Sequence, residues 1–330
     1  MYSDEDLNAA VNAGALSEAS AQALRAFVAQ RQSAPAVDEE QFRLVTGFND
    51  IFVVIACLLV LASVAWLGAA LAPWLGALAV SAVAWGLGEF FIRKRRMALP
   101  AIVLLLAFTG GIVAAGFTTT DRSTVNIAIA CAIAAVATWL HWRRFHVPIT
   151  VAAGAAAAAG CVVALLLTLF PAARDWTDLL SLLAGLVVFA LAMHWDVADT
   201  RRETRKSDVA FWLHLLAAPL LVRPVFAALH VFAGSTSPGQ ALLVVAVYIV
   251  IAIVSLSIDR RALMVSALIY VLYTFSDLLQ QYGMVSLGFA VAAFVIGSGL
   301  LMLSAFWHPA RAQVVRLLPA ALRQRLPALR

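Results

Sequence analysis

Ten hydrophobic runs separated by short loops, with lysine and arginine gathered into every second loop, constrain this chain more than any other feature. The runs cover 51–70, 72–92, 99–118, 125–140, 149–169, 178–194, 209–230, 241–258, 262–280 and 284–304. A bilayer's hydrocarbon core is about 30 Å thick and asks for about 20 mostly apolar residues per spanning helix. Run length and Ala/Leu richness predict helices, since a spanning strand would show only about ten residues of alternation. The fourth and sixth runs are the shortest. Composition agrees with a lipid exterior: 63% of the 330 residues are apolar and 12% charged, with a mean hydropathy of +0.93. A soluble domain of that length has too little polar surface to cover such a core.

Loop charges set the orientation. If the runs alternate across a bilayer, twenty of the 23 lysines and arginines fall on one side. They include Arg93, Lys94, Arg95 and Arg96, then Arg143 and Arg144, then Arg201, Arg202, Arg205 and Lys206, then Arg260 and Arg261. Arg122 and Arg174 fall opposite, and Arg223 lies within a run. The positive-inside rule then puts both termini in the cytoplasm. The net charge of +5 sits at membrane edges and forms no continuous patch, which argues against nucleic acid as a partner. The start, MYSDEDLN, is acidic where a signal peptide is basic, so the first run is expected to act as its own insertion signal.

Three domains are expected: 1–48, a small N-terminal cytoplasmic helical hairpin with a juxtamembrane helix; 49–308, the ten-span transmembrane bundle; and 309–330, a basic amphipathic tail. In the hairpin, Ser3 and Ser17 are placed to cap two helices, Gly14 suits the residue after the first, and residues 32–38 read as a linker. Seven acids against two arginines in the first 40 residues repel phosphate and argue against a DNA-binding helix-turn-helix. In the tail, Val314, Val315, Leu317, Leu318, Leu322 and Leu326 interleave with Arg311, Arg316, Arg323 and Arg325. Such a helix would lie in the interface with its arginines near anionic lipid head groups, broken by Pro319 and Pro327. The expected fold class is therefore all-α, a polytopic transmembrane helix bundle carrying these two appendages.

The stretch DLNAAVNAGALSEASAQALRAF, followed by a polar linker and a multi-span region, resembles the leader of an uncharacterised bacterial multi-pass integral-membrane family grouped as a domain of unknown function. The resemblance covers about the first 70 residues. It implies a bacterial inner-membrane location and carries no activity with it.

Ionisable residues within spans are the default functional candidates, because an unpaired charge at the bilayer centre costs at least about 2.5–3.5 kcal/mol. Arg223 sits in the seventh run between Pro219 and Pro224, each of which frees a backbone carbonyl. It reads either as an anion-binding element paired with Asp277 or as a side chain snorkelling outward to head groups. Asp277 follows Tyr270 and Tyr273 on one helical face, a stripe that suits a cavity wall or an aromatic belt. His214 reads as a proton relay or as a histidine hydrogen-bonded across helices. Glu89 is placed for an intrahelical pair with Arg93. The pairs His141–Trp142, His194–Trp195 and Trp307–His308 read as interfacial anchors, and the Ala/Gly-rich fifth run is expected at the bundle centre. Cys57, Cys131 and Cys161 lie inside runs without metal-ligand spacing, so no disulfide, metal or cofactor is implied. Two functional classes follow: a small-molecule or anion transporter built around Arg223, Asp277, His214 and Tyr273, and a non-transporting scaffold or sensor whose hairpin binds a partner. An enzyme ranks third, since no catalytic constellation is visible.

Overall fold

The computed structural model describes residues 4–32, 48–119, 123–200, 202, 204–231, 237–281, 288–319, 323, 326 and 327, and among them every regular element is a helix. The N-terminal unit contains α1 (Asp4–Asn12) and α2 (Glu18–Gln32). Between them Gly14 takes φ +71°, the left-handed conformation that glycine adopts at little cost. Ser17 caps α2 by accepting a hydrogen bond from the Ser20 amide at 3.1 Å, and Arg25 reaches from α2 to the Asn8 side chain of α1 at 2.8 Å. Residues 33–47 lie outside the described residues, and with them the expected linker and most of the juxtamembrane helix.

The larger unit runs through α3 (Phe48–Leu71), α4 (Pro73–Gly88, continued by a π-helical turn over Glu89–Lys94), α5 (Ala98–Thr119), α6 (Thr124–Phe145) and α7 (Ile149–Leu169). A 3₁₀ turn at Pro171–Trp176 leads into α8 (Thr177–Val197). After it come α9 (Arg205–Ala228), α10 (Pro238–Ile258), α11 (Ala262–Gln281), α12 (Gly288–Ala305) and α13 (Trp307–Leu317). Among the described residues, nine helical stretches are long and apolar enough to cross a membrane, which makes this a multi-pass membrane protein. α12 adds 18 residues without a charge on the tenth run. The two shortest runs become full spans of 22 and 27 residues, Thr124–Phe145 and Pro171–Val197. Hydropathy alone stops early because α6 continues through His141, Trp142, Arg143 and Arg144, which are polar or amphipathic but helical.

Small residues govern how closely the helices approach. A Cβ placed on Gly76 of α4 would lie 2.6 Å from the Ala65 carbonyl oxygen and 2.7 Å from the Ala69 amide nitrogen of α3. Between α4 and α5, Ser81 donates to the Phe108 carbonyl at 2.9 Å. α7 packs against α6 through Gly154 on Thr138 and Gly160 on Cys131, with Thr168 donating to Thr124 at 2.8 Å. The fifth run is not the central helix, however. Half of the α9 span is enclosed, against 22% for that of α7, because α9 contacts α7, α8 and α11 together while the small residues of α7 serve mainly α6.

α9 stays helical through Pro219 and Pro224. The carbonyl that Pro224 frees, that of Leu220, accepts a hydrogen bond from Ser181 of α8 at 3.3 Å. Gly185, also on α8, leaves room there, since a Cβ on it would come 3.0 Å from Leu220. A neighbouring hydroxyl and a neighbouring glycine thus accommodate a proline in an apolar solvent.

Candidate functional site: a buried ionic cluster

The charged loops after α8 and α10 fold inward. Asp196 on the last turn of α8 is 2% exposed and Arg260, just past α10, is 1% exposed. Arg260 Nη2 lies 2.6 Å from Asp196 Oδ1, and the same nitrogen donates to the Ser207 carbonyl at 3.1 Å. His214, wholly buried on α9, presents Nε2 to Asp196 Oδ2 at 2.8 Å. An Nε2–H tautomer donates there and leaves Nδ1 as a bare lone pair, buried without a hydrogen-bond partner among the described residues. Ser255 donates to the carbonyl of Arg260 and fixes the turn.

Asp259 begins the second half. It takes φ +59° at the end of α10, so the chain reverses and neighbouring side chains serve different partners. Arg260 turns to α8 and α9, while the Asp259 carboxylate meets Arg202 Nη1 at 3.1 Å, Trp307 Nε1 at 2.8 Å and Arg311 Nε at 3.4 Å. Arg202 also donates to the Asp259 carbonyl at 3.0 Å, and Arg311 donates to the Pro327 carbonyl at 2.7 Å. Asp199 orders the loop between α8 and α9 by accepting from the Thr204 amide at 2.8 Å and its hydroxyl at 2.6 Å, while Thr204 in turn caps α9. Asp196, Asp199 and Asp259 balance Arg202, Arg260 and Arg311, all nine-tenths buried or more. Removing six charges from water is costly, and such a cluster persists because mutual attraction and hydrogen bonds to the remaining atoms offset the desolvation.

Over its described residues the tail therefore turns one face inward, while Leu322 and Arg325 of the expected stripe lie outside the described residues. Trp307, Arg311 and Val315, spaced four apart on α13, form one buried face, and Arg311 meets Asp259 instead of lipid head groups. Arg316 and Leu317 remain on the exposed side. The Trp307–His308 anchor fails for the same reason, because the Trp307 indole is committed to Asp259. His141 departs too: it is buried beside Trp85, Phe108 and Phe145, with Thr150 at 3.3 Å from Nδ1. Glu89 pairs with Arg93 at 2.7 Å along its own helix and also takes Arg144 of α6 through contacts of 2.7 and 3.0 Å.

Of the four candidate pathway residues, His214 enters the cluster, hydrogen-bonded across helices. Arg223 stands at the other end of α9 with its side chain 63% exposed and Nη1 3.6 Å from Asp178 Oδ1 of α8. Its expected partner was Asp277; the structure gives it Asp178. Length explains the outcome, since the guanidinium extends toward the helix end more readily than into the bundle. Tyr270 turns onto Phe226 in a stacked pair at 4.7 Å, whereas Tyr273 is exposed and Asp277 half-buried, so the α11 stripe divides between two environments. Arg223→Leu should therefore shift the unfolding free energy by no more than about 0.5 kcal/mol, read from a denaturation curve in detergent. Among the described residues no three His, Cys, Asp or Glu side chains converge as metal ligands would.

Sequence reasoning missed Asp196, Asp259, Arg202, Arg260 and Arg311 as one constellation, having read Arg202 and Arg260 as loop charge and Arg311 as part of the interfacial tail. One signal was present: in DVADTRR and IDRR a carboxylate stands within two residues of the basic pair at the end of a run. No protein-family model, curated protein or solved structure matches this chain.

Proposed function

We propose that this is a ten-span protein of the bacterial inner membrane, both termini cytoplasmic, acting as a scaffold or sensor whose state is set by attachment of α13 to the ends of α8–α11. The carrying observation is Asp259, whose single carboxylate joins the loop after α8 to the tail helix through Arg202, Trp307 and Arg311. The charges enclosed there are engaged with one another and tie the ends of α8 and α10 to α13. The basic loops support the orientation, and the N-terminal module, residues 1–48, is the partner-binding arm in this reading. Transport of a small molecule or anion is the second reading. It is favoured by the His214 Nδ1 lone pair, a buried place for a proton on a proline-containing helix.

Limited proteolysis and complementation separate the two. With Asp259→Asn, trypsin added to the cytoplasmic face should cut after Arg311 about tenfold faster or more, since charge-assisted bonds that hold α13 are lost. In a strain deleted for the gene, Asp259→Asn should fail to restore the wild-type phenotype and Arg223→Leu should restore it. The reverse pattern overturns the scaffold reading. Loss of function in His214→Gln with Arg311 still protected points to proton-coupled transport instead.

A further inference from the structure

The tail's central arginine is turned inward, yet another part of the molecule presents cations beside a lipid-facing wall. α6 exposes Val125, Ile129, Ile133, Val136 and Leu140 along one stripe, each between 46% and 59% accessible, with Trp139 at 52% beside its basic end. Where that stripe stops, Arg143 lies 4.6 Å over the Trp139 ring and Arg144 bridges to Glu89. The π-helical turn at the end of α4 brings its cations to the same place. Arg93 shares the Glu89 carboxylate with Arg144, while Lys94 and Arg95 stand 6.0 and 5.7 Å from the half-exposed Phe90 ring. Arg93, Lys94, Arg95, Arg143 and Arg144 are all exposed, and Glu89 is the carboxylate bound among them. The patch keeps a strong positive excess.

We propose that the basic ends of α4 and α6 bind the phosphate of an anionic phospholipid, one acyl chain lying along the α6 stripe. Three features converge on that occupant. The cations sit at the end of an apolar wall instead of on a soluble face, which matches a head group joined to a chain. The aromatic rings of Trp139 and Phe90 lie at the level where head group meets acyl chain. The Glu89 bridge to Arg93 and Arg144 ties the ends of α4 and α6 together, so Lys94, Arg95 and Arg143 are gathered for one phosphate before it binds. A basic pocket between spans is the arrangement that recognises anionic lipid.

The test is native mass spectrometry of the full-length protein in detergent, with dioleoyl phosphatidylglycerol or dioleoyl phosphatidylcholine added. The wild type should retain phosphatidylglycerol about tenfold better than phosphatidylcholine. The triple variant Lys94→Gln, Arg95→Gln and Arg143→Gln leaves the Glu89 bridge intact and should lose that preference, with phosphatidylcholine retention unchanged. Arg316→Gln, on the exposed side of α13, should keep it. Equal retention of the two lipids by the wild type overturns the proposal, as does a triple variant that still prefers phosphatidylglycerol; either result leaves the patch to an acidic protein partner.

Discussion

Asp196→Ala is expected to lower the unfolding free energy by about 3–5 kcal/mol in detergent, because it strands the Arg260 guanidinium and the His214 ring in a buried site. Most of that loss comes from the uncompensated cation, so Asp196→Leu combined with Arg260→Leu should recover a large part of it. A double-mutant cycle from denaturation curves measures the coupling, and single-variant losses that simply add would show that the pair carries no interaction. His214 sharpens the expectation. With Asp196 gone its Nε2–H also loses the acceptor at 2.8 Å, so the single variant suffers two penalties and the paired variant one.

A second large effect belongs to the α3–α4 contact. Gly76→Ala is expected to cost about 2–3 kcal/mol, because its methyl would meet backbone atoms of α3 that no rotamer change can move. Gly86→Ala on the same helix meets nothing within 4 Å and should gain up to about 1 kcal/mol from helix propensity alone. The same substitution ten residues apart thus changes sign, and thermal melts of the two variants read it directly. Equal effects at both positions would mean that α3 and α4 do not approach closely at Gly76.

How much the sequence disclosed depends on which physical quantity a feature obeys. Among the described residues, nine of the ten expected runs meet the length and hydropathy of a span, since both properties are local and additive along the chain. The Ser17 cap and the glycine turn at Gly14 are equally local. Partner choice is not. Arg260 and Arg261 look alike in the sequence, yet one is buried against Asp196 and the other stacks on Trp307, 4.8 Å from the ring. What separates them is the left-handed turn at Asp259, and an aspartate there carries no mark distinguishing it from any loop carboxylate. Arg223 was conspicuous as a charge within an apolar run, but its fate depended on side-chain length near a helix end. Position within an apolar run gave no sign that its side chain would be 63% exposed beside Asp178.

The bond between Asp259 and Trp307 also has a place in time. The two residues are 48 positions apart, and α13 leaves the ribosome after α8–α12. At about 5–20 residues per second, Asp259 waits roughly 2–10 s for the indole and guanidinium that complete its site. During that interval the loop after α10 holds an aspartate with only part of its shell, and the neighbouring spans are free to rearrange. Arrival of α13 thus completes the set of partners around a single buried acid.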